Sequence, residues 1–291
     1  NPLAPLTNKA ISGSYAPGST FKIVVALAAL ENGLVDPNNK IFCRGYTTLG
    51  RAKFHCWKKH GHGWVNLVEG LQKSCDIYFY DLARRVGIDK IAEMANKLGL
   101  GQTLGIEVPG ERNGLIPTRG WKLAMTGVKW QKGETLIAGI GQGFILATPL
   151  QLAVMTARVA NGGFAVKPRL VQGALEDSSV GHELPSLGLS ESAMRLVRQG
   201  MSRVTNHPRG TAFRARIPHK GMEMAGKTGT SQVRRISKHE RDTRVLKNEE
   251  RPWIQRDHAL FVGYAPVDNP RYAAAVVVEH GGGGSKVAAP I

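Results

Sequence analysis

No apolar run in this chain is longer than Ile23–Leu30, well short of the roughly 20 residues that carry a helix across a bilayer. A run of that length is instead the body of a helix. The signals around it agree, because Pro17-Gly18-Ser19 opens a helix over 17–33 and Asn32-Gly33 closes it. With 291 residues, 42% of them hydrophobic, the chain has apolar material for one large domain or two small ones with a proper core. That composition excludes a disordered chain and a coiled coil. The helix starts with Ser19-Thr20-Phe21-Lys22. Positions i and i+3 share a helix face, so the Lys22 amine is expected beside the Ser19 hydroxyl.

The remaining pattern is helical first and stranded later. Segment 36–63, rich in Gly, Cys, His and aromatics, reads as an irregular loop region. Residues 65–98 read as helical, with breaks at Gly87 and Gly99, and 101–135 as turns. Thr148-Pro149 starts a strong helix that Asn161-Gly162-Gly163 stops, and Ser190–Thr205 reads as another. Met224–Ser231, His258–Tyr264 and Tyr272–Glu279 read as strands. The helical part is thus expected over roughly 17–205 and the strands over roughly 222–280. Residues 232–256 form a long intervening loop with eight Lys/Arg and four Asp/Glu. It reads either as a solvated surface excursion or as a mobile segment that contributes to binding an anionic wall polymer or membrane surface.

The net charge of +17 suits an anionic partner. No zinc-finger spacing or RNA-binding aromatic motif accompanies it, so nucleic acid is not the expected partner. The chain opens Asn1-Pro2-Leu3-Ala4-Pro5 without an initiator Met or a signal peptide, so a natural N-terminus is expected upstream.

Three motifs carry chemistry. A serine hydroxyl such as Ser19 is a weak nucleophile until a base takes its proton, and Lys22 can be that base if burial or a neighbouring cation lowers its pKa. Ser74-Cys75-Asp76 sits where one helix ends and the next begins. Its hydroxyl could relay a proton from Lys22 to a leaving amine, and Asp76 could hold a substrate amide or Lys22. Lys227-Thr228-Gly229-Thr230 lies on an expected strand. Its Lys and two Thr hydroxyls suit a carboxylate, its Gly keeps the site open, and its strand could accept an extended substrate as an added edge.

Ser-x-x-Lys, Ser-x-Asn/Asp and Lys-Thr-Gly, in this order, resemble the signature of penicillin-binding proteins and serine β-lactamases. Tyr15-Ala16-Pro17-Gly18, Gly139-Ile140-Gly141-Gln142-Gly143, Ala147-Thr148-Pro149-Leu150-Gln151 and His258-Ala259-Leu260-Phe261-Val262-Gly263-Tyr264-Ala265-Pro266 are similar to class B penicillin-binding proteins. Gly61-His62-Gly63, Ser74-Cys75-Asp76 and Pro117-Thr118-Arg119-Gly120-Trp121-Lys122 most resemble the elongation-specific penicillin-binding protein 2 group within that class. Asp76 stands where many relatives have Asn.

The resemblance covers nearly the whole chain and implies an α/β (α+β) transpeptidase fold over 1–291, an antiparallel sheet flanked by helices plus a mostly helical subdomain. That family places two strands before the Ser-x-x-Lys helix, and too few residues precede Ser19 here, so an N-terminally truncated domain with an incomplete sheet is expected.

The resemblance further implies a D,D-transpeptidase that cross-links peptidoglycan stem peptides through a Ser19 acyl-enzyme. Lys22 acts as base and Ser74 as proton relay. The backbone N–H groups of Ser19 and Thr230 form the oxyanion site, and Lys227, Thr228 and Thr230 hold the terminal carboxylate. β-Lactam antibiotics would stall at the acyl-enzyme. The partners it implies are a membrane-embedded glycosyltransferase and the scaffold of the elongation machinery. The place it implies is the periplasmic face of the inner membrane, through an anchor outside this sequence. The alternatives are a β-lactam-binding sensor domain and a serine β-lactamase. For the latter, Glu107 and Glu111 lie at a plausible distance, but in a turn-like segment.

Catalysis by this route needs no cofactor. The chain's three cysteines, Cys43, Cys56 and Cys75, nevertheless fall close together. With one histidine they make a set that suits structural zinc. His55, His60 and His62 are candidates for the fourth ligand. His62 is chosen because Gly61 and Gly63 free its backbone and because His55 adjoins Cys56. Related elongation-type transpeptidases resemble this arrangement, some with Asp at the first two positions, and a zinc has been recognised in that group. Free buried thiols, or one disulfide plus a spare thiol, are the other readings.

Overall fold

The computed structural model describes residues 4–170, 184–234, 236–237, 239–240 and 243–291. A one-turn helix, α1 (Lys9–Ser12), precedes a 3-10 turn at Gly18–Phe21, which runs directly into α2 (Lys22–Glu31). Four short strands follow: β1 (Ile41–Cys43), β2 (Tyr46–Leu49), β3 (Ala52–His55) and β4 (Gly63–Val65). The helical part continues with α3 (Leu67–Gln72), α4 (Asp76–Val86), α5 (Ile88–Lys97), α6 (Arg119–Thr126), α7 (Lys132–Ala138), α8 (Pro149–Ala160) and α9 (Glu191–Asn206). Three longer strands close the order: β5 (Ala225–Ser231), β6 (His258–Ala265) and β7 (Tyr272–Val278).

A helix apolar on all sides has to be surrounded by protein. Accordingly every residue from Lys22 to Ala29 is fully buried, and α2 packs against α4, α5 and α9. Ser19 lies in the 3-10 turn rather than in the α-helix expected over 17–33. β5, β6 and β7 form one antiparallel sheet in that order, with Lys227 opposite Val262 and Thr230 opposite Ala259. β5 is therefore an edge among the described strands. The 3-10 turn and α9 pack on β5, and α8 packs on β7.

Segment 36–63 is not irregular. β1 pairs with β4 and β2 with β3, bringing Cys43 opposite Gly63 and Tyr46 opposite His55. Strands this short show no alternation in sequence. Their folding depends on close approach, because a Cβ at Gly61 (φ +75°) would lie 2.0 Å from the Cys43 carbonyl oxygen. Segment 101–135 also holds more than turns. Thr118 accepts from Trp121 N at the start of α6, Gly127 ends that helix in the left-handed region, and Gln131 and Glu134 cap α7 reciprocally. The cap at Thr118 and the Gly at 127 were the signals available for α6.

Arg235, Lys238, Arg241 and Asp242 of the basic segment 232–256 lie outside the described residues, so its expected mobility is not addressed there. Its described remainder contains 3-10 turns at Asn248–Glu250 and Trp253–Gln255. Ion pairs join Arg234 to Glu240, Arg244 to Glu250 and Arg251 to Asp257.

Candidate active site

The 3-10 turn, the α3–α4 junction and the β5 edge meet at a cleft of about 350 Å³ lined by Ser19, Trp57, Ser74, Asp76, Thr228 and Thr230, among others. Ser19 Oγ makes no hydrogen bond among the described residues, while Lys22 beneath it is fully buried. Lys22 Nζ donates to Asp76 Oδ1 at 2.6 Å, to the Ser74 carbonyl at 3.0 Å and to Ser74 Oγ at 3.2 Å. Lys227 Nζ reaches the same hydroxyl from β5, 2.8 Å from Ser74 Oγ, and donates to the Thr228 carbonyl at 3.1 Å. Ser74 Oγ thus lies between two lysine amines, next to a half-buried serine.

Burial and the nearby Lys22 charge pull the Lys227 amine well below the usual lysine range. Burial pushes the Asp76 carboxyl up, against the opposing pull of Lys22 and of the Trp57 N–H. Ser74 has φ +53°, a left-handed conformation that costs a non-glycine residue about 1–3 kcal/mol. Its surroundings hold it there, since its carbonyl accepts from both Lys22 Nζ and Trp57 Nε1, each at 3.0 Å.

Two expected roles shift in detail. Lys227, expected to hold a substrate carboxylate, has no exposed surface and does not line the cleft; Thr228 and Thr230 do. Gly229, expected to keep the cleft open, lines it and also serves the packing beneath it. A Cβ there would lie 2.9 Å from the Pro17 carbonyl oxygen and 3.0 Å from Thr20 Cγ2, so the glycine lets the nucleophile's turn lie against the strand.

Several cleft residues were not singled out as site residues from sequence, Gln142, Thr211 and Trp57 among them. Gln142 Nε2 donates to the Thr230 carbonyl at 2.9 Å, and Gly18 N donates to the Gly141 carbonyl, so the 139–143 loop ties the nucleophile's turn to β5. Thr211 pairs its hydroxyl with that of Thr228 at 2.9 Å. Trp57 closes the side of the cleft formed by Ser74 and Asp76. For Thr211 and Trp57 no local motif exists, and only the fold brings them in.

Behind Trp57 the structure brings together Cys43, Cys56, His62 and Cys75, whose potential ligand atoms all lie within 4.8 Å of one another. The three cysteines are free and buried, with no disulfide among them. His62 Nδ1 faces the sulfurs, 3.6 Å from Cys43 and 3.5 Å from Cys56. The thiols of Cys56 and Cys75 hold Cys43 below the usual thiol range, and the hydrogen bond with Cys43 pushes Cys75 up. Sulfurs this crowded compete for protons when no cation is present. Three thiolates and one imidazole nitrogen make the closed donor set that tetrahedral zinc takes, so the residues fit that ion.

Comparison with known proteins places this geometry. The profile described as "Penicillin binding protein transpeptidase domain" matches residues 1–291. The chain is 40% identical over 299 residues to the peptidoglycan D,D-transpeptidase MrdA of Acinetobacter baumannii, covering 99% of this chain and 43% of that one. It is 36% identical over 296 residues to MrdA of Escherichia coli, covering 99% and 46%. The chain therefore spans less than half the length of either relative. Among solved structures it is similar to Pseudomonas aeruginosa PBP2 in complex with WCK 5153 (TM-score 0.85, 40% identity, 98% of this chain and 61% of that one). It is also similar to Helicobacter pylori PBP2 in complex with MreC (TM-score 0.85, 34% identity, 99% and 49%).

Proposed function

Because this chain belongs to the penicillin-binding protein transpeptidase domain family, we propose that it is the acyl-transfer domain of an elongation-type peptidoglycan D,D-transpeptidase. The observation that carries the reading is the Lys22–Ser74–Lys227 chain of hydrogen bonds beside Ser19, at 3.2 and 2.8 Å. It gives a nucleophile a buried base and a path for the proton.

In this reading Ser19 Oγ attacks the carbonyl carbon of the penultimate D-Ala of a stem peptide, and its proton passes to Lys22. The oxyanion is held by the backbone N–H groups of Ser19 and Thr230. As the C–N bond to the terminal D-Ala breaks, Ser74 hands a proton to the leaving amine and is resupplied from Lys22. Thr228 and Thr230 line the cleft where the terminal carboxylate binds, and Lys227, below them, contributes through Ser74 and its positive field when protonated. The amine of a second stem then attacks the ester, loses its proton along the same path and frees Ser19 Oγ. A β-lactam meets the same nucleophile and stays attached.

Cys43, Cys56, His62 and Cys75 would hold a structural zinc. When bound, it supplies a cross-link rather than a reacting atom. Those side chains come from β1, the residue after β3, the residue before β4 and the residue next to Ser74. Similar structures include Helicobacter pylori PBP2 with MreC and a peptidoglycan synthase complex, which supports a glycosyltransferase and a scaffold of the elongation machinery as partners. The reading carries with it work at the periplasmic face of the inner membrane. Among the described residues, no helix is long and apolar enough to cross a membrane.

Treatment with a fluorescent penicillin followed by peptide mass spectrometry tests the reading. The label is expected on Ser19, absent in Ser19→Ala, with the acyl group transferable to an amine acceptor. Adduct without transfer would indicate a sensor, and rapid penicilloate release a β-lactamase.

A further inference from the structure

Trp57 follows Cys56 directly, yet three of its contacts belong to the cleft. Its backbone N–H donates to Asp76 Oδ2 at 2.8 Å, while the other oxygen of that carboxylate takes Lys22 Nζ at 2.6 Å. Its indole Nε1 donates to the Ser74 carbonyl at 3.0 Å and to the Lys73 carbonyl at 3.2 Å. Its ring stands edge-on to His62, with centroids 5.3 Å apart. Even so, 62% of the residue is exposed, and it lines the cleft.

Such an arrangement is costly without a purpose. An exposed tryptophan leaves a large apolar face in water, here facing the cleft. The polar end of the ring is spent on a peptide in a strained, left-handed conformation, that of Ser74. Ser74 Oγ must stay within hydrogen-bond reach of two lysines that approach from different elements. A small rotation of its peptide would break one of those bonds. The indole N–H and Lys22 Nζ grip the same carbonyl, so the two together set that rotation.

We propose that Trp57 has two roles in the acyl-transfer reaction: its N–H groups position Ser74 and Asp76, and its exposed ring face is a specificity wall for the acyl donor's side chain. The inference rests on the acyl-transfer reading above. An extended donor paired with the β5 edge runs opposite the wall formed by Trp57, Ser74 and Asp76 and meets the indole with its far side. Apolar or aromatic side chains at that point gain ring contact, and small ones do not. Trp57 also joins the cysteine–histidine cluster to the cleft, since the residue before it is one of the four candidate ligands.

The test separates the two roles. Replacing Trp57 by β-(3-benzothienyl)alanine keeps ring shape and the backbone N–H but removes the indole donor. In stopped-flow acylation of the full chain, the acylation rate constant k2 is expected to fall about five- to tenfold, as for loss of one net hydrogen bond, with the dissociation constant of the prior complex unchanged. Trp57→Ala is expected in addition to weaken that complex about three- to tenfold for a penicillin with a phenyl side chain, and not for one with a methyl group there. A purely structural tryptophan would instead lower the fraction of labelled protein and the melting temperature, leaving k2 of the labelled fraction unchanged. Unchanged k2 in the benzothienyl variant, or equal weakening for both penicillins in Trp57→Ala, overturns the corresponding role. Failure of wild-type protein to acquire any label overturns the acyl-transfer reading, and the role of Trp57 with it.

Discussion

Ser74 Oγ has one hydrogen and two lone pairs, and two amines compete for them. Burial and the Lys22 charge pull the Lys227 amine well below the usual lysine range. Around it the tolerances are those of packing. A Cβ at Gly229 would press on the Pro17 carbonyl, directly before the nucleophile's turn. Gly229→Ala is therefore expected to destabilise the protein by about 1–3 kcal/mol, the usual cost of overpacking. It should also slow penicillin labelling of Ser19 more than stability alone explains, because the turn must move. Denaturant unfolding together with labelling kinetics checks both. Unchanged labelling would mean that the turn and strand adjust independently.

At the scale of elements, the nucleophile's turn is held by neighbours distant in sequence. Tyr15 exchanges backbone hydrogen bonds with Ala147, and its hydroxyl donates to Glu279 Oε1 at 2.8 Å, just past β7. Lys9 on α1 pairs with the same carboxylate. Burial alone pushes the Glu279 carboxyl up, but the hydrogen bonds from Lys9 and Tyr15 outweigh it and hold it below the usual range. A carboxyl whose pKa is lowered on folding contributes stability that is present above its unfolded value, near 4.5, and is lost as pH falls through the folded one. Glu279→Gln is expected to lower the melting temperature at pH 7. The gap to wild type should narrow as pH drops below about 4.5, the ordinary glutamate value. A gap that stays constant from pH 7 to pH 3 would remove Glu279 as the linkage between α1, the turn and β7.

Across the whole molecule, the β1–β4 segment meets the catalytic cleft through Trp57 among the described residues. Its strands are three or four residues long and bury little, so a cross-link is a large share of what holds them. Purified without chelator, the protein is expected to carry about one zinc per chain, the stoichiometry of a four-ligand structural site. Removing it, or making Cys75→Ser, should lower the melting temperature and slow acylation together, because Cys75 adjoins both Ser74 and Asp76. Elemental analysis and labelling kinetics on the same samples check this. Metal-free protein with a disulfide between two of the cysteines would count against the site.

The chain's own order of residues determined the central helix and the three reactive motifs, because both depend on local rules. An apolar run ending in Asn-Gly has one reading, and Ser-x-x-Lys marks the start of that helix, although Ser19 itself lies in the 3-10 turn before it. The terminations of α8 and α9 and the three C-terminal strands were legible for the same reason. The grouping of Cys43, Cys56, His62 and Cys75 was legible as composition, but their convergence to within 4.8 Å depends on the pairing of β1 with β4 and on the junction before α4. Only the tertiary structure decided that Lys227 lies fully buried beside the cleft, that Gly229 also lets the turn at Gly18–Phe21 lie against β5, and that Thr211 and Trp57 line the cleft. These are contacts between segments far apart in sequence, and a local pattern holds no record of which surfaces the core will press together.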